Sequence, residues 1–254
     1  NLTHYYTMKK RRIGSLITHI PASDSTFRLV NVKFRNSTQG FGKISVSEPA
    51  LIVRSSSCYL LQVKTGDLGD MYKIRVSCDD VPGFEGWHLK SFYLEELHTK
   101  QGLNFECNCW LSLNGEDKEL VKEFPVVTEG QKTLPVYKYV VSVHTGDCWG
   151  AETFANVYIT LYGKRGDTGV RKLHTSLIKG RKFQRNKIMM DSFLVEAVSL
   201  SHLQKVVIGH DGKGYGAGMY LKTVTVKKSQ DSDKEWVFSL WNGLVTHLGL
   251  CETV

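Results

Sequence analysis

Sliding the 254-residue chain along itself by 132 positions lays residues 59–94 over residues 191–226 without a gap. Seven positions in that frame are identical: Val63/Val195, Leu68/Leu200, Lys73/Lys205, Asp79/Asp211, Gly86/Gly218, Leu89/Leu221 and Lys90/Lys222. Between them apolar positions are preserved, as in Ile74-Arg75-Val76 against Val206-Val207-Ile208, and with one deletion the match reaches Trp110/Trp241. Self-similarity at a fixed spacing is the mark of one supersecondary design used twice. Whatever residues 59–94 build, residues 191–226 must build again.

The repeated text has the period of a strand. Tyr72-Lys73-Ile74-Arg75-Val76 alternates apolar with polar, Asp79-Asp80-Val81-Pro82-Gly83 carries turn chemistry, and strand-like text returns in Trp87-His88-Leu89-Lys90 and Phe92-Tyr93-Leu94. In the second half residues 137–143, 155–162, 193–197, 203–208 and 220–226 read as short strands between Gly- and Asp-rich loops. No long amphipathic helix appears, and such spacing predicts an all-β sandwich or barrel. Residues 1–57 are polar and basic, with short strand-like patches such as 28–34 and 44–46, and the start at Asn1 reads as a fragment or an incomplete reading frame.

Composition narrows the function classes. The longest apolar runs, residues 136–143 and 157–162, fall far short of the roughly 20 needed to cross a bilayer, and no signal-peptide pattern opens the chain, so neither a transmembrane segment nor secretion is expected. Six cysteines are too sparse for a stapled scaffold and read as reduced thiols in a cytoplasmic setting. Cys107 and Cys109 lack the second ligand pair of a zinc site and read as buried free thiols. Of the net charge of +8, residues 1–57 hold a large share, including the run Lys9-Lys10-Arg11-Arg12. With no aromatic-interleaved motif beside it, that run reads as solvated, and nucleic acid is not expected as a partner. There is no Gly-x-Ser-x-Gly elbow, no His-Glu-x-x-His and no phosphate-cradling loop, and the glycines of residues 212–218 read as a turn, so no catalysis is expected.

The second copy runs Tyr137-Lys138-Tyr139-Val140-Val141-Ser142-Val143-His144-Thr145-Gly146-Asp147, then Gly150-Ala151-Glu152-Thr153-Phe154-Ala155-Asn156-Val157, and continues through residues 161–169 to Ile208-Gly209-His210-Asp211. This series resembles the PLAT domain, the β-sandwich module of lipoxygenases, lipases and polycystins. The resemblance covers residues 136–254 as a complete module and 58–127 as the C-terminal half of a preceding one, with 128–135 as linker. Residues 1–57 lack the first half of the motif series and stay unassigned: either they supply substitute strands as a degenerate N-terminal half of the first module, or that half is unstable alone. The resemblance implies two four-stranded antiparallel sheets packed face to face, with no active site.

Many PLAT domains hold calcium on loops at one end, which suits a hard cation wanting oxygen ligands. By motif position Asp147, Asn156 and Asp211 match such oxygens; Phe154 replaces the usual aspartate, and Glu152 stands where glycine is common. The other reading of Asp147 and Asp211 is that they cap loops through Asx-type hydrogen bonds. Aromatics in these loops are either anchors for a membrane or partner, or plugs on the sandwich end. Trp149 reads as an anchor and Phe154 as a plug, and both stand with Tyr215 among the candidate binding residues. Residues 162–187 carry nine Lys/Arg against Asp167 alone, and of these Lys164, Arg165, Arg171, Lys172, Arg181 and Lys182 are the candidates for an anionic partner. Trp87, Trp110 and Trp241 read as core.

The function expected is therefore a non-catalytic adaptor that docks an anionic phospholipid surface or a membrane-associated protein, with calcium as a modulator. The alternative implied by the resemblance is a scaffold repeat of a longer PLAT array, linking cytoskeleton and membrane in ciliated or sensory hair cells. A third reading, the regulatory part of a lipoxygenase-like enzyme, finds no room for a catalytic domain before Val254. The location expected is cytoplasmic, at a peripheral membrane or in a cilium or stereocilium.

Overall fold

The computed structural model of the chain describes residues 14–21, 31–36, 41–45, 53–55, 58–65, 71–77, 87–96, 102–114, 118–127, 130, 132–214, 218–239, 244–245 and 249–252. They belong to two units, Asn1–Thr133 and Leu134–Val254. Among the described residues there is no helix, and both units are antiparallel β-structures. Asp79, Asp80, Tyr215, Trp241 and the basic run at residues 9–12 lie outside the described residues.

The first unit has β1 (Gly14–Pro21), β2 (Asn31–Asn36), β3 (Phe41–Ser45), β4 (Val53–Ser55), β5 (Cys58–Thr65), β6 (Met71–Ser77), β7 (Trp87–Glu96), β8 (Gly102–Leu111) and β9 (Val121–Pro125). The second has β10 (Val136–Thr145), β11 (Val157–Gly163), β12 (Gly166–Asp167), β13 (Arg171–Lys172), β14 (Asp191–Val198), β15 (Leu203–His210), β16 (Met219–Lys227), β17 (Glu235–Ser239), β18 (Leu244–Val245) and β19 (Gly249–Glu252). One sheet of the first unit runs β4-β5-β1-β7-β8, and its counterpart runs β14-β10-β16-β17 with β18 also on β16. The other sheets run β3-β2-β6-β9 and β12-β11-β15-β19, with β13 also on β11.

The two units share one topology, and the sequence repeat shows only part of it. β1 lies between β5 and β7 as β10 lies between β14 and β16, and β2 lies between β3 and β6 as β11 lies between β12 and β15. Leu16 pairs with Val63, and Tyr139 pairs with the matching Val195. Residues 1–57 thus supply the strands for which no motif was found. Strand pairing asks for backbone reach and alternation, not for particular side chains.

In the second unit both sheets feed one apolar cluster. β10 and β14 contribute Tyr139, Val141, Val143, Phe193, Val195 and Ala197, and β11 and β15 contribute Val157, Ile159, Leu161, Val206 and Ile208. β14 shows the cause: Asp191, Phe193, Val195 and Ala197 are buried while Leu194 is exposed and Ser192 and Glu196 are intermediate, the period of two that puts alternate residues on one face. Each large apolar side chain so buried contributes about 2–3 kcal/mol. Met219, which stands where the first copy has Trp87, is fully buried.

Two core assignments need correction. Trp110 is 56% exposed: it lies on edge strand β8, on the outward face with Asn104, Glu106 and Asn108, with the His88 ring 5.1 Å away. Cys107 and Cys109 are half-buried, not fully buried, beside a break in the β7–β8 register where Asn108 takes a left-handed φ of 42°. Burial, then the neighbouring Cys109 and Glu106, pushes the Cys107 thiol up to about 12. Only thiolate reacts, so at pH 8 roughly one Cys107 in ten thousand is available to an alkylating agent. Peptide mass spectrometry after brief iodoacetamide treatment should find exposed Cys148 modified and Cys107 intact; equal modification of the two would contradict this placement.

Candidate functional site

Strand pairing brings three loops of the second unit to one end. Val143 near the end of β10 pairs with Asp191 at the start of β14, and Thr145 pairs with Leu221 early in β16. In the other sheet Val157, the first residue of β11, pairs with His210, the last of β15. Residues 146–156, 173–190 and 211–214 therefore leave the sandwich together. The turn at Lys164 and Arg165 lies at the opposite end, where their backbone amides donate to the carbonyls of His202 and Leu200.

Backbone contacts lock the loops to each other. The Thr153 amide donates to the Phe183 carbonyl, and Tyr220 donates to Ala151. Gly146 has no space for a side chain, since a Cβ there would stand 2.4 Å from the Tyr220 ring. Asp211 closes the third loop: its Oδ1 accepts from the Asn156 and Lys213 amides, and its Oδ2 accepts from Asn156 Nδ2 at 2.7 Å. Burial pulls this carboxyl upward, but the hydrogen bonds from the Asn156 side chain and the two amides outweigh it, so Asp211 titrates below the usual carboxylate range. This is the geometry of the Asx-type cap.

The other two acidic candidates hold cations of the chain itself. The register of β16 against β10 slips at Lys222, which is left over as a bulge residue, and its Nζ reaches Asp147 Oδ1 at 2.7 Å. That hydrogen bond, followed by a backbone one, lowers the Asp147 carboxyl. Glu152 pairs with the Arg181 guanidinium at 3.0 Å. A calcium site needs six to eight converging oxygens. Here Asp147, Glu152 and Asp211 face three different partners, and among the described residues no group of three or more His, Cys, Asp or Glu is placed to hold a metal. As arranged, the four candidate ligands do not fit a calcium site.

The basic and aromatic candidates sort sharply. Arg171 is buried, with its Nε donating to the Thr168 carbonyl, so it cannot present charge to a partner. Its assignment to a binding face is a correction: β13 runs along β11 and turns this side chain inward. Lys172 is half-buried. Lys182 bonds the carbonyls of Leu173 and His174, and burial, reinforced by Lys172, lowers its pKa. Lys164 and Arg165 are exposed but sit at the far end. Arg181 and Arg185 lie against the exposed aromatics of this end.

Trp149 is 91% exposed at the tip of its loop, with the Arg185 guanidinium 5.0 Å from its ring centroid. Phe154, expected to fold back as a plug, is exposed, and the Arg181 guanidinium lies 3.9 Å from its centroid. The loop of residues 173–190 also exposes Ile188, Met189 and Met190, an apolar run that in the sequence looks like the start of the strand it precedes. This end thus presents apolar tips interleaved with guanidinium groups.

Residues 139–242 match the PLAT/LH2 domain family. They form a PLAT/LH2 domain. The chain is 37% identical over 177 residues to human lipoxygenase homology domain-containing protein 1, a match that takes in 68% of this chain and 8% of that protein. The mouse protein of the same name is 37% identical over 172 residues, again 8% of its length. Polycystin-1-like protein 1 of Oryzias latipes is 34% identical over 103 residues, 39% of this chain and 4% of that one. The chain spans less than a tenth of the length of each of these relatives. The first match is longer than the second unit, so the likeness extends into the first. Among solved structures, the LOX variant Delta413-417:GS is 24% identical, with a TM-score of 0.40 over 46% of this chain and 16% of that one. The PLAT module of this chain is a lipoxygenase-homology β-sandwich whose loop end carries the exposed aromatic and arginine pairs.

Proposed function

We propose that the second unit is a non-catalytic docking module for a membrane face bearing anionic phospholipid, working at the cytoplasmic periphery of that membrane. The observation that carries this reading is the pairing of Trp149 with Arg185 and of Phe154 with Arg181 on one exposed loop end. An aromatic ring gains by entering the interfacial layer, where its apolar face is covered while the guanidinium above it stays among headgroups. Arg185 near an anionic surface adds about 1 kcal/mol, while the charge of Arg181 is balanced by Glu152. Because Lys222 and Arg181 already neutralise Asp147 and Glu152, docking by these residues needs no bridging calcium.

Co-sedimentation with vesicles tests the reading. The chain should pellet with phosphatidylcholine vesicles containing phosphatidylserine, more weakly as salt rises, and alike with calcium or with a chelator. Trp149→Ala with Phe154→Ala should weaken binding by roughly tenfold or more, from the apolar area withdrawn. Equal pelleting of parent and double variant would sink the lipid reading.

The tandem arrangement of two units of like topology favours a second reading, a scaffold repeat of a longer array between cytoskeleton and membrane, as in a cilium or stereocilium. Its distinguishing outcome is a folded chain that pellets with neither neutral nor anionic vesicles.

A further inference from the structure

The loop between β13 and β14 ends in Ile188-Met189-Met190, a triplet whose exposure falls from its tip at Ile188 toward the strand. Ile188 is 100% exposed, Met189 59% and Met190 37%, although Asp191, the next residue, is buried. Ile188 gains nothing from the fold and Met189 little, and an exposed apolar tip rimmed by charge marks a surface meant to be covered.

Its position is fixed from both sides. Asp191 pairs with Val143, just before the loop that carries Trp149, and Phe183 in the same segment holds the Thr153 amide next to Phe154. The triplet therefore stands on the same end of the module as Trp149 and Phe154. Residues 173–190 carry Lys179, Arg181, Lys182, Arg185 and Lys187 and no Asp or Glu; Glu152 pairs with Arg181 and Asp191 with Lys187, which leaves the segment a net positive charge from Lys179, Lys182 and Arg185. Apolar side chains in a cationic segment match a surface that is hydrocarbon beneath and anionic above, which is the chemistry of a lipid interface.

We propose that Ile188-Met189-Met190 is a second insertion point, so that the module sits on the bilayer by two apolar tips, one led by Trp149 and one by Ile188, with Arg185 lying between headgroups. This rests on the membrane reading above and adds the residues that fix how the module stands. Two separated tips define an orientation where one tip would allow the module to pivot. Methionine suits the second tip, since its flexible thioether accommodates an irregular apolar surface.

The experiment uses the full chain and vesicles of phosphatidylcholine with and without phosphatidylserine, measuring affinity together with amide hydrogen exchange of peptides covering residues 184–192. Ile188→Ser with Met189→Ser is expected to keep the parent's melting temperature, because both side chains are exposed, and to lose roughly tenfold or more in affinity for the anionic vesicles. In the parent chain, exchange across residues 184–192 should slow on vesicle addition, while the turn at Lys164 and Arg165 should be unaffected. If the parent binds, is weakened by Trp149→Ala, and is indifferent to the serine pair, the second tip is refuted while the membrane reading stands. If the parent binds neither vesicle, both fall and a protein partner takes their place.

Discussion

Replacing Tyr139 by Ala should lower the unfolding free energy of the second unit by about 4 kcal/mol, the cost of removing a large aromatic from a packed core. Tyr139 is fully buried on β10, among the residues of both sheets. Its hydroxyl also accepts the Leu200 amide at 3.0 Å, tying the central strand to the turn that follows β14. The milder change Tyr139→Phe keeps the ring and removes only the oxygen, leaving a buried amide unsatisfied, and should cost about 1–2 kcal/mol. Urea denaturation followed by the tryptophans of this unit measures both, as lowered midpoints at unchanged slope. Because Tyr139 lies toward the end opposite the Trp149 loop, Tyr139→Phe should leave vesicle affinity where it was. A Tyr139→Ala variant as stable as the parent would mean that the two sheets do not share this core.

The second unit was largely legible because its strands are written with the period that buries one face, and its loops carry the Gly and Asp that turns need. The strands of residues 1–57 were not, since β1 and β2 match β10 and β11 by their place in the sheet and not by identity. Matched residues also diverge in use. Lys73 on β6 is buried against Glu123 of β9, while its counterpart Lys205 lies half-buried with its ammonium 5.8 Å from the Tyr162 ring centroid. Among the candidate site residues, linear nearness misled most: Lys164, Arg165, Arg171 and Arg181 form one basic stretch in the sequence, yet fall to the far end, to the interior and to the loop end. Charge content is a property of composition, and its placement is decided by which strand edge each residue meets. Trp110 shows the same limit, because alternation assigns residues to two faces without saying which one is covered.

The loop end should depend on a residue that no motif marks. Asp191 is buried at the start of β14, where its Oδ2 accepts the Phe183 amide at 2.7 Å and its Oδ1 accepts from Ser176 and from the Lys187 ammonium. Phe183 is held with a left-handed φ of 53°, which a bulky side chain adopts only when its surroundings compel it. Here the compulsion is visible: the amide is taken by Asp191, the carbonyl by Thr153, and the ring is stacked on Phe193 with centroids 5.5 Å apart. Asp191→Ala removes the acceptor and leaves a buried amide and a partly buried ammonium without it. The expected loss is about 3 kcal/mol, the lower part of the range for breaking a buried ion pair, since Lys187 keeps some contact with water. Asp191→Asn retains an oxygen for the amide and should lose about half as much. In either variant residues 173–190 should become the first site of trypsin cleavage, at Arg181 or Lys187, and vesicle binding should fall although no surface residue has changed. Should Asp191→Ala resist trypsin like the parent while losing vesicle binding, Asp191 would have to touch the membrane itself, which its burial forbids; should it keep both stability and binding, the loop is held by the Phe183 ring alone.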